Sequence, residues 1–293
     1  MTARPHAYVG RFAPSPTGSL HLGSLLAAVG SFVDARHHGG RWLVRMEDLD
    51  STRVIRGCAD DMLRTLESFG LHWDAAVEYQ SRRTGHYREA LEELKARNLT
   101  FECSCTRQDR SPRGAYPGTC RTGPRHAGPT STRFLVEGGR VEFADRIQGA
   151  CGFELGQLGD VVVRRRDGVF AYQLAVVVDD ALQGVTHVVR GADLLDNTPW
   201  QLTLQRALRL PAPAYAHLPV VVEARGSKLA KSRRSLALQP AAAGLLLQQV
   251  LTLLGQDPPA ELKLELPQAI LTWASGHWRP QAMAGVREVR APC

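Results

Sequence analysis

The apolar positions of this chain switch repeatedly between two periods. Tyr8-Val9-Gly10 is a short apolar start that reads as a strand. Leu25, Leu26, Val29, Phe32 and Val33 then recur at helical spacing, and the pattern stops at His37-His38-Gly39-Gly40. Arg41–Met46 reads as the next strand and runs into Glu47-Asp48-Leu49-Asp50. Met62, Leu63, Leu66 and Phe69 predict a helix over residues 60–69 that Gly70 stops. Tyr87, Leu91 and Leu94 predict another, ending at Asn98. This alternation predicts an α/β fold with a doubly wound parallel sheet. Ligands bind beyond the carboxyl ends of the strands in such sheets, which is where Glu47 and its neighbours fall.

The rhythm breaks near residue 100. Residues 103–133 are rich in Pro, Gly and Arg, and short strand-like runs follow at 132–136, 140–143 and 161–165. An Asp167-Gly168 turn leads into a further predicted strand at 170–174. Residues 186–190 resume the buried strands. Asn197 or Thr198 is placed to cap a helix with Pro199 in its first turn. A strand at 219–223 and a basic loop at 225–234 follow. Beyond Pro240 the composition turns to Leu, Ala and Gln, with helices expected at 245–254 and 267–275 and a frayed end. The expected organisation is a first half of the α/β domain at 1–99, an inserted α+β subdomain at 100–180, a second half at 181–240 and a short helical region at 241–293.

Composition narrows the partners. The 293 residues suffice for one large or two modest domains with a buried core. The formal net charge of +7 suits a polyanion. No apolar run is long enough to span a bilayer, and residues 1–10 lack an apolar signal core, so a cytoplasmic protein with no membrane partner is expected. Its six cysteines are then thiols or metal ligands rather than a disulfide framework. Cys103-Ser104-Cys105, with Cys120 after a Gly/Pro loop, has the spacing of a structural zinc site in the inserted subdomain. Three thiolates leave one tetrahedral position, for which His126 is a candidate because imidazole is a common zinc partner. Cys58, Cys151 and Cys293 have no such spacing and read as plain thiols.

The chemistry centres on residues 11–23, Arg-Phe-Ala-Pro-Ser-Pro-Thr-Gly-Ser-Leu-His-Leu-Gly. A strand, a Pro/Gly turn and a helix make an anion site at the helix N-terminus, with His21 as a further donor. This stretch resembles the signature of class I aminoacyl-tRNA synthetases in its glutamyl form. His21-Leu22-Gly23-Ser24 stands at the His-x-Gly-His motif, with Ser24 for its last His. Lys228-Leu229-Ala230-Lys231-Ser232 is similar to the Lys-Met-Ser-Lys-Ser motif, with Ala230 for its central Ser. The two stand in family order, and the close resemblance, over roughly residues 8–240, is to the glutamyl-queuosine tRNA(Asp) synthetases.

The resemblance implies a Rossmann-like sheet and an ATP-dependent ligase that, without needing tRNA first, joins L-glutamate to AMP. It then transfers the glutamate to queuosine in the anticodon loop of tRNA(Asp). Glutamate needs Arg for its carboxylates and an acid for its ammonium. The matching segments place Arg11, Phe12, Ala13, Pro14, Ser15, Glu47, Tyr172 and Arg190 around it. Thr17, His21, Gly23, Lys228 and Lys231 fall to ATP, with His21 and Lys231 as the catalytic pair and Mg²⁺ accompanying the phosphates. The family makes Tyr116 the fourth ligand of one structural zinc, beside Cys103, Cys105 and Cys120. Arg107, Arg110, Arg113, Arg121 and Arg125, and the Arg164-Arg165-Arg166 cluster, are expected to meet RNA phosphates. A full glutamyl-tRNA synthetase carries a large helical anticodon-binding region, and the stretch from 241 to 293 is expected to hold none. The competing readings are a truncated glutamyl-tRNA synthetase charging a tRNA 3′ end, and an inactive RNA-binding paralogue suggested by Ser24 and Ala230.

Overall fold

A computed structural model describes residues 8–106, 109, 115–222 and 238–291. The chain opens with β1 (Val9–Phe12), α1 (Leu22–His37), β2 (Arg41–Met46), α2 (Cys58–Ser68), β3 (Glu78–Tyr79) and α3 (Thr84–Ala96). Asn98 follows α3 with φ of 56°, the left-handed conformation that ends a helix. Next come β4 (Thr100–Cys103), β5 (Ser131–Phe134), β6 (Arg140–Asp145), β7 (Gly149–Glu154), the short α4 (Leu155–Leu158) and β8 (Val161–Arg164). α5 (Tyr172–Leu182), β9 (His187–Gly191), α6 (Thr198–Ala207), β10 (Ala214–Leu218) and β11 (Val220–Val222) return to the main sheet. α7 (Ala243–Leu253), α8 (Pro267–Gly276) and β12 (Glu288–Arg290) complete the chain.

β1 pairs in parallel with β2, and β2 with β3. β9 lies on the other side of β1, tied by the Thr186 amide donating to Val9 O at 2.9 Å, and pairs in parallel with β10. The order is therefore β3-β2-β1-β9-β10, with the chain reversing direction across the sheet between β1 and β9. Alternate residues of β9 and β10 point to opposite faces. Val189 and Ala216 pack with α1, α7 and α8, while Val188 and Tyr215 pack with α3, α5 and α6. Helices thus cover both faces, as expected for a doubly wound sheet. Between α3 and α5 the strands are antiparallel: β4-β5-β8 form one sheet and β6-β7 a hairpin.

α1 is the central helix. It is buried along most of its length and touches β1, β2 and β9 as well as α7 and α8. Gly30 makes this approach possible, because a Cβ there would stand 2.5 Å from a methyl of Leu218.

Two local expectations are corrected. The predicted strand at 170–174 is instead the start of α5, and only Phe170 bridges back to Arg164. Leu174, Ala175, Val176, Val177 and Val178 are all buried, so the run carries no polar face to reveal its helical period. The expected frayed end instead pairs as β12 with β11, Val221 opposite Val289. Backbone pairing at a sheet edge leaves little side-chain pattern to read.

Asp34, 2% exposed near the end of α1, joins four segments. It accepts from Tyr8 OH, from Arg146 Nη1 and Nη2 at 2.6 and 3.0 Å, and from Trp278 Nε1 at 2.8 Å. Burial opposes its charge, but the Arg146 pair and the other donors hold its carboxyl below the ordinary range. A depressed acid stabilises the fold above the ordinary carboxylate range, and that contribution fades as pH falls. Asp34→Ala should cost about 3 kcal/mol, since it strands a guanidinium and two further donors. Urea unfolding at neutral pH measures this, and an unchanged midpoint would contradict it.

Candidate active site

A cavity of about 400 Å³ opens beyond the carboxyl ends of β1, β2 and β9, where the sheet reverses its order. The end of β1 and the following loop supply Arg11, Phe12, Ala13 and Ser15. Glu47 comes from just after β2, Tyr172 from the first turn of α5, and Arg190 from β9. Seven of the residues singled out from sequence thus share one wall. Pro14 is not among them; its carbonyl accepts the Glu47 amide at 2.9 Å and fixes the loop to the end of β2. Arg53, Leu194 and Ala27 also line the cavity and were not anticipated.

Behind the cavity wall, a buried charge cluster holds Arg11 and Glu47. Arg11 Nε donates to Asp180 Oδ1 at 3.3 Å, and Arg45 Nη1 reaches the same oxygen at 2.8 Å. Arg45 is fully buried and also lies 3.7 Å from both Asp179 and Glu47. Glu47 is 11% exposed. Burial pushes its carboxyl up, Arg45 and Arg11 pull it down, Asp180 and Asp179 push it up again, and the balance is about 7. Neither Arg45 nor Asp180 was singled out as a site residue. The signal was present: two adjacent acids, Asp179 and Asp180, close the apolar run of α5 and are buried there.

Arg190 is 5% exposed, and its hydrogen-bond partners among the described residues are all neutral. Nε donates to His217 Nε2 at 3.0 Å, and Nη1 to Gln201 Oε1 at 2.8 Å and Tyr172 OH at 3.3 Å. Nη2 donates to Thr198 Oγ1 at 2.9 Å and Leu194 O at 3.3 Å. Asn197 and Thr198 were expected to cap α6, but neither side chain does; Thr198 serves Arg190, and Asn197 accepts from Gln173. Burial raises the Tyr172 phenol above its ordinary range, so it stays a neutral donor and acceptor.

His21 caps α1 with its own side chain. Nδ1 accepts from the Gly23 and Ser24 amides at 3.1 and 3.3 Å, which puts the ring proton on Nε2. These two amides are therefore spent on the cap, a correction to the expected open N-terminus. Gly23 leaves room for the folded ring, since a Cβ would lie 3.1 Å from His21 Cε1. Ser24 Oγ accepts the His21 amide at 2.6 Å and closes a capping box, so the serine has a local structural use. Thr17 lies in the loop before α1, its amide donating to Ser15 O at 2.8 Å. Lys228, Ala230 and Lys231 lie outside the described residues, as do Arg107, Arg110, Arg113 and Cys293.

The Sγ atoms of Cys103, Cys105 and Cys120 lie within 4.8 Å of one another, the first and last of these residues being buried. Tyr116 OH accepts the Cys120 amide at 2.7 Å and stands 3.9 Å from Cys105 Sγ. His126 is exposed and outside this group. Burial disfavours the Cys120 thiolate, but Tyr116 and backbone amides outweigh it and bring the thiol down to about 6. Nearby basic residues are partly spoken for: Arg121 pairs with Asp160, Arg165 with Asp50 and Asp167, and Arg166 with the Ser104 and Cys105 carbonyls. Among the described residues no helix is long and apolar enough to cross a membrane.

Residues 8–112 and 115–243 match the family described as tRNA synthetases class I (E and Q), catalytic domain. A glutamyl-Q tRNA(Asp) synthetase of Thiobacillus denitrificans is 52% identical over 94% of each chain. One of Ectopseudomonas mendocina is 50% identical over 93% of each. The crystal structure of a glutamate-tRNA synthetase from Elizabethkingia anophelis, 22% identical, superposes with a TM-score of 0.81 over 98% of this chain and 68% of its own, which shows a shared fold. With that family match across the catalytic core and half-identical relatives over nearly the whole length, the chain belongs to the class I tRNA synthetases, among the glutamyl-Q tRNA(Asp) synthetases.

Proposed function

We propose that this chain activates L-glutamate with ATP and transfers it to queuosine in tRNA(Asp). The carrying observation is the cavity in which Arg11, Glu47, Tyr172 and Arg190 converge. Two guanidiniums match two carboxylates, and one acid matches an ammonium. A buried cation held by neutral acceptors, as Arg190 is among the described residues, keeps its charge for an anionic ligand.

In the first step a glutamate α-carboxylate oxygen attacks the α-phosphorus of ATP. A mixed anhydride forms and pyrophosphate leaves. In the second, a hydroxyl of the queuosine cyclopentene diol attacks the acyl carbon, and AMP leaves as its proton is lost. The chain's task is to position these groups and stabilise phosphate charge. His21 Nε2–H, the loop at Thr17 and Gly23, and Lys228 and Lys231 are assigned to ATP, and Mg²⁺ when bound neutralises the phosphates. Cys103, Cys105 and Cys120, with Tyr116 as fourth ligand, are assigned to one structural zinc. Their spacing and the mutual approach of the three Sγ atoms fit that ion.

RNA-free protein should exchange labelled pyrophosphate into ATP when given glutamate and poorly when given glutamine, whose amide leaves a buried guanidinium underpaired. Transfer should require queuosine in tRNA(Asp) and survive removal of the 3′-terminal adenosine. Loss of transfer on removing that adenosine, with queuosine dispensable, would instead identify a truncated synthetase that charges 3′ ends. No exchange under any condition would leave an inactive RNA-binding paralogue.

Glutamate affinity should depend on pH through Glu47. Its acid form, favoured below about 7 in the empty site, must lose a proton to hold an ammonium. Affinity should therefore rise as pH rises toward 7, by up to about tenfold per unit, and level off above. Calorimetric titration measures this, and Glu47→Gln should bind weakly with no such slope. An equal affinity at pH 5.5 and 8 would sink the assignment.

Protein prepared without chelator should carry about one zinc per chain. Cys105→Ser should lower that content and loosen the cluster before the parallel sheet. Full zinc retention in a Cys103/Cys105/Cys120 triple variant would remove the site.

A further inference from the structure

His217, on β10, is fully buried between Arg190 and Asp145. A guanidinium has donors and no acceptor, so the 3.0 Å contact from Arg190 Nε requires a bare lone pair on His217 Nε2. The ring proton is then on Nδ1, which donates to Asp145 Oδ2 at 2.6 Å. Asp145 is itself fixed, because Oδ1 accepts the amides of Ile147, Gln148 and His217 at 3.0, 2.8 and 3.1 Å. Thr198 Oγ1 stands 3.3 Å from Nε2 and also accepts from Arg190 Nη2. Arg190 is thus gripped along the guanidinium edge that faces away from Tyr172.

We propose that Asp145 and His217 are positioning residues for Arg190: Asp145 fixes the proton of His217 on Nδ1, and the bare Nε2 aims the guanidinium into the cavity. This rests on the reading of Arg190 as a glutamate-binding residue. The opposite tautomer, or a protonated ring, sets an N–H against the Arg190 N–H and turns the guanidinium away. Burial pushes the His217 imidazole down, against the upward pull of Asp145, which keeps it neutral. The acid comes from β6, outside the parallel sheet, so the antiparallel segment orients a side chain of the cavity.

Asp145→Asn is the decisive variant. It keeps an oxygen for the three backbone amides and presents an amide N–H to His217 Nδ1, which drives the ring proton to Nε2. The full chain is assayed by pyrophosphate exchange, with KM read separately for glutamate and ATP. Asp145→Asn should raise KM for glutamate roughly tenfold or more and leave KM for ATP within about twofold. His217→Leu should behave similarly, and His217→Gln, whose amide oxygen can accept from Arg190, should recover most of the loss. On the His217→Gln background, Asp145→Asn should add little, because no tautomer remains to switch. An equal loss on both backgrounds, or equal rises in both KM values, would overturn the relay as mere structural support. Long-range ¹H–¹⁵N spectra of histidine-labelled protein read the tautomer directly, with His217 assigned by its loss in His217→Gln. A proton on Nε2 in the unaltered protein would overturn the relay even if no variant folds. Absence of glutamate-dependent exchange in the unaltered protein would sink the proposed function, while the spectra still decide the tautomer.

Discussion

The structure depends on keeping guanidinium charge dry. Arg11, Arg45 and Arg190 are each at most 5% exposed, around one cavity. A buried charge is tolerated only when paired or fully hydrogen-bonded. Asp179 and Asp180 meet that need for two of the three from the last turn of α5. Asp180 touches both Arg11 and Arg45, while Asp179 accepts from Gln80 at 2.9 Å, Arg83 at 2.7 Å and Tyr87 at 2.7 Å. α5 is therefore placed by its acids as much as by its valines. Yet the cluster is not saturated. Among the described residues Arg45 Nε and Nη2 make no hydrogen bond, only 3.7 Å approaches to Asp179 and Glu47, and burial raises the Glu47 carboxyl to about 7. A stability-driven core would leave neither. Of the two, Glu47 alone lines the cavity, so it is the member of the cluster whose balance a cationic ligand group would complete.

The three arginines differ in a way that bears on selectivity. Arg11 shares a carboxylate with Arg45, so part of its charge is already answered inside the protein. Among the described residues Arg190 has only His217, Gln201, Tyr172, Thr198 and a carbonyl. Neutral acceptors fix its geometry without cancelling its charge. Orientation and charge are thus supplied separately, which lets a guanidinium be both rigid and attractive to an anion.

How legible this was follows from sequence separation. Arg11 to Ser15 and His21 to Ser24 are contiguous, and Glu47, Tyr172 and Arg190 each sit in a short matching segment, so the cavity wall was readable. The parallel strands were readable too, because Arg41–Met46 and the segment around His187–Gly191 are apolar runs with clear stops. The supports were not. Asp145 and His217 meet across the hairpin and the second half of the sheet, and an Asp ending a strand has no local signature. Tyr172 was expected at the cavity, which it lines, but in a strand, since the buried run at 174–178 has no polar period to betray a helix. His21 shows the reverse limit. Its motif was plain, but only coordinates reveal that Nδ1 is spent on capping and that Ser24 completes the cap.

The basic residues near the cysteine cluster give the last step. A patch built only to meet phosphates would leave its arginines solvated. Here Arg166 grips the Ser104 and Cys105 carbonyls, and the adjacent Arg165 donates to Asp50 at 2.7 Å. The same Asp50 oxygen accepts from Arg53 at 2.8 Å, and Arg53 lines the cavity. These contacts run from the cluster to the cavity rim through two neighbouring residues, and the chain then turns at Asp167-Gly168 and enters α5 at Tyr172. The arginines act as struts, answered by hydrogen bonds and by Asp50, whose carboxyl Thr52 and then Arg165 and Arg53 hold below its ordinary range. Ordering the cluster therefore orders the segment that carries Tyr172. A metal held at the cluster, as proposed above, would act on the cavity wall without any contact with the reacting atoms.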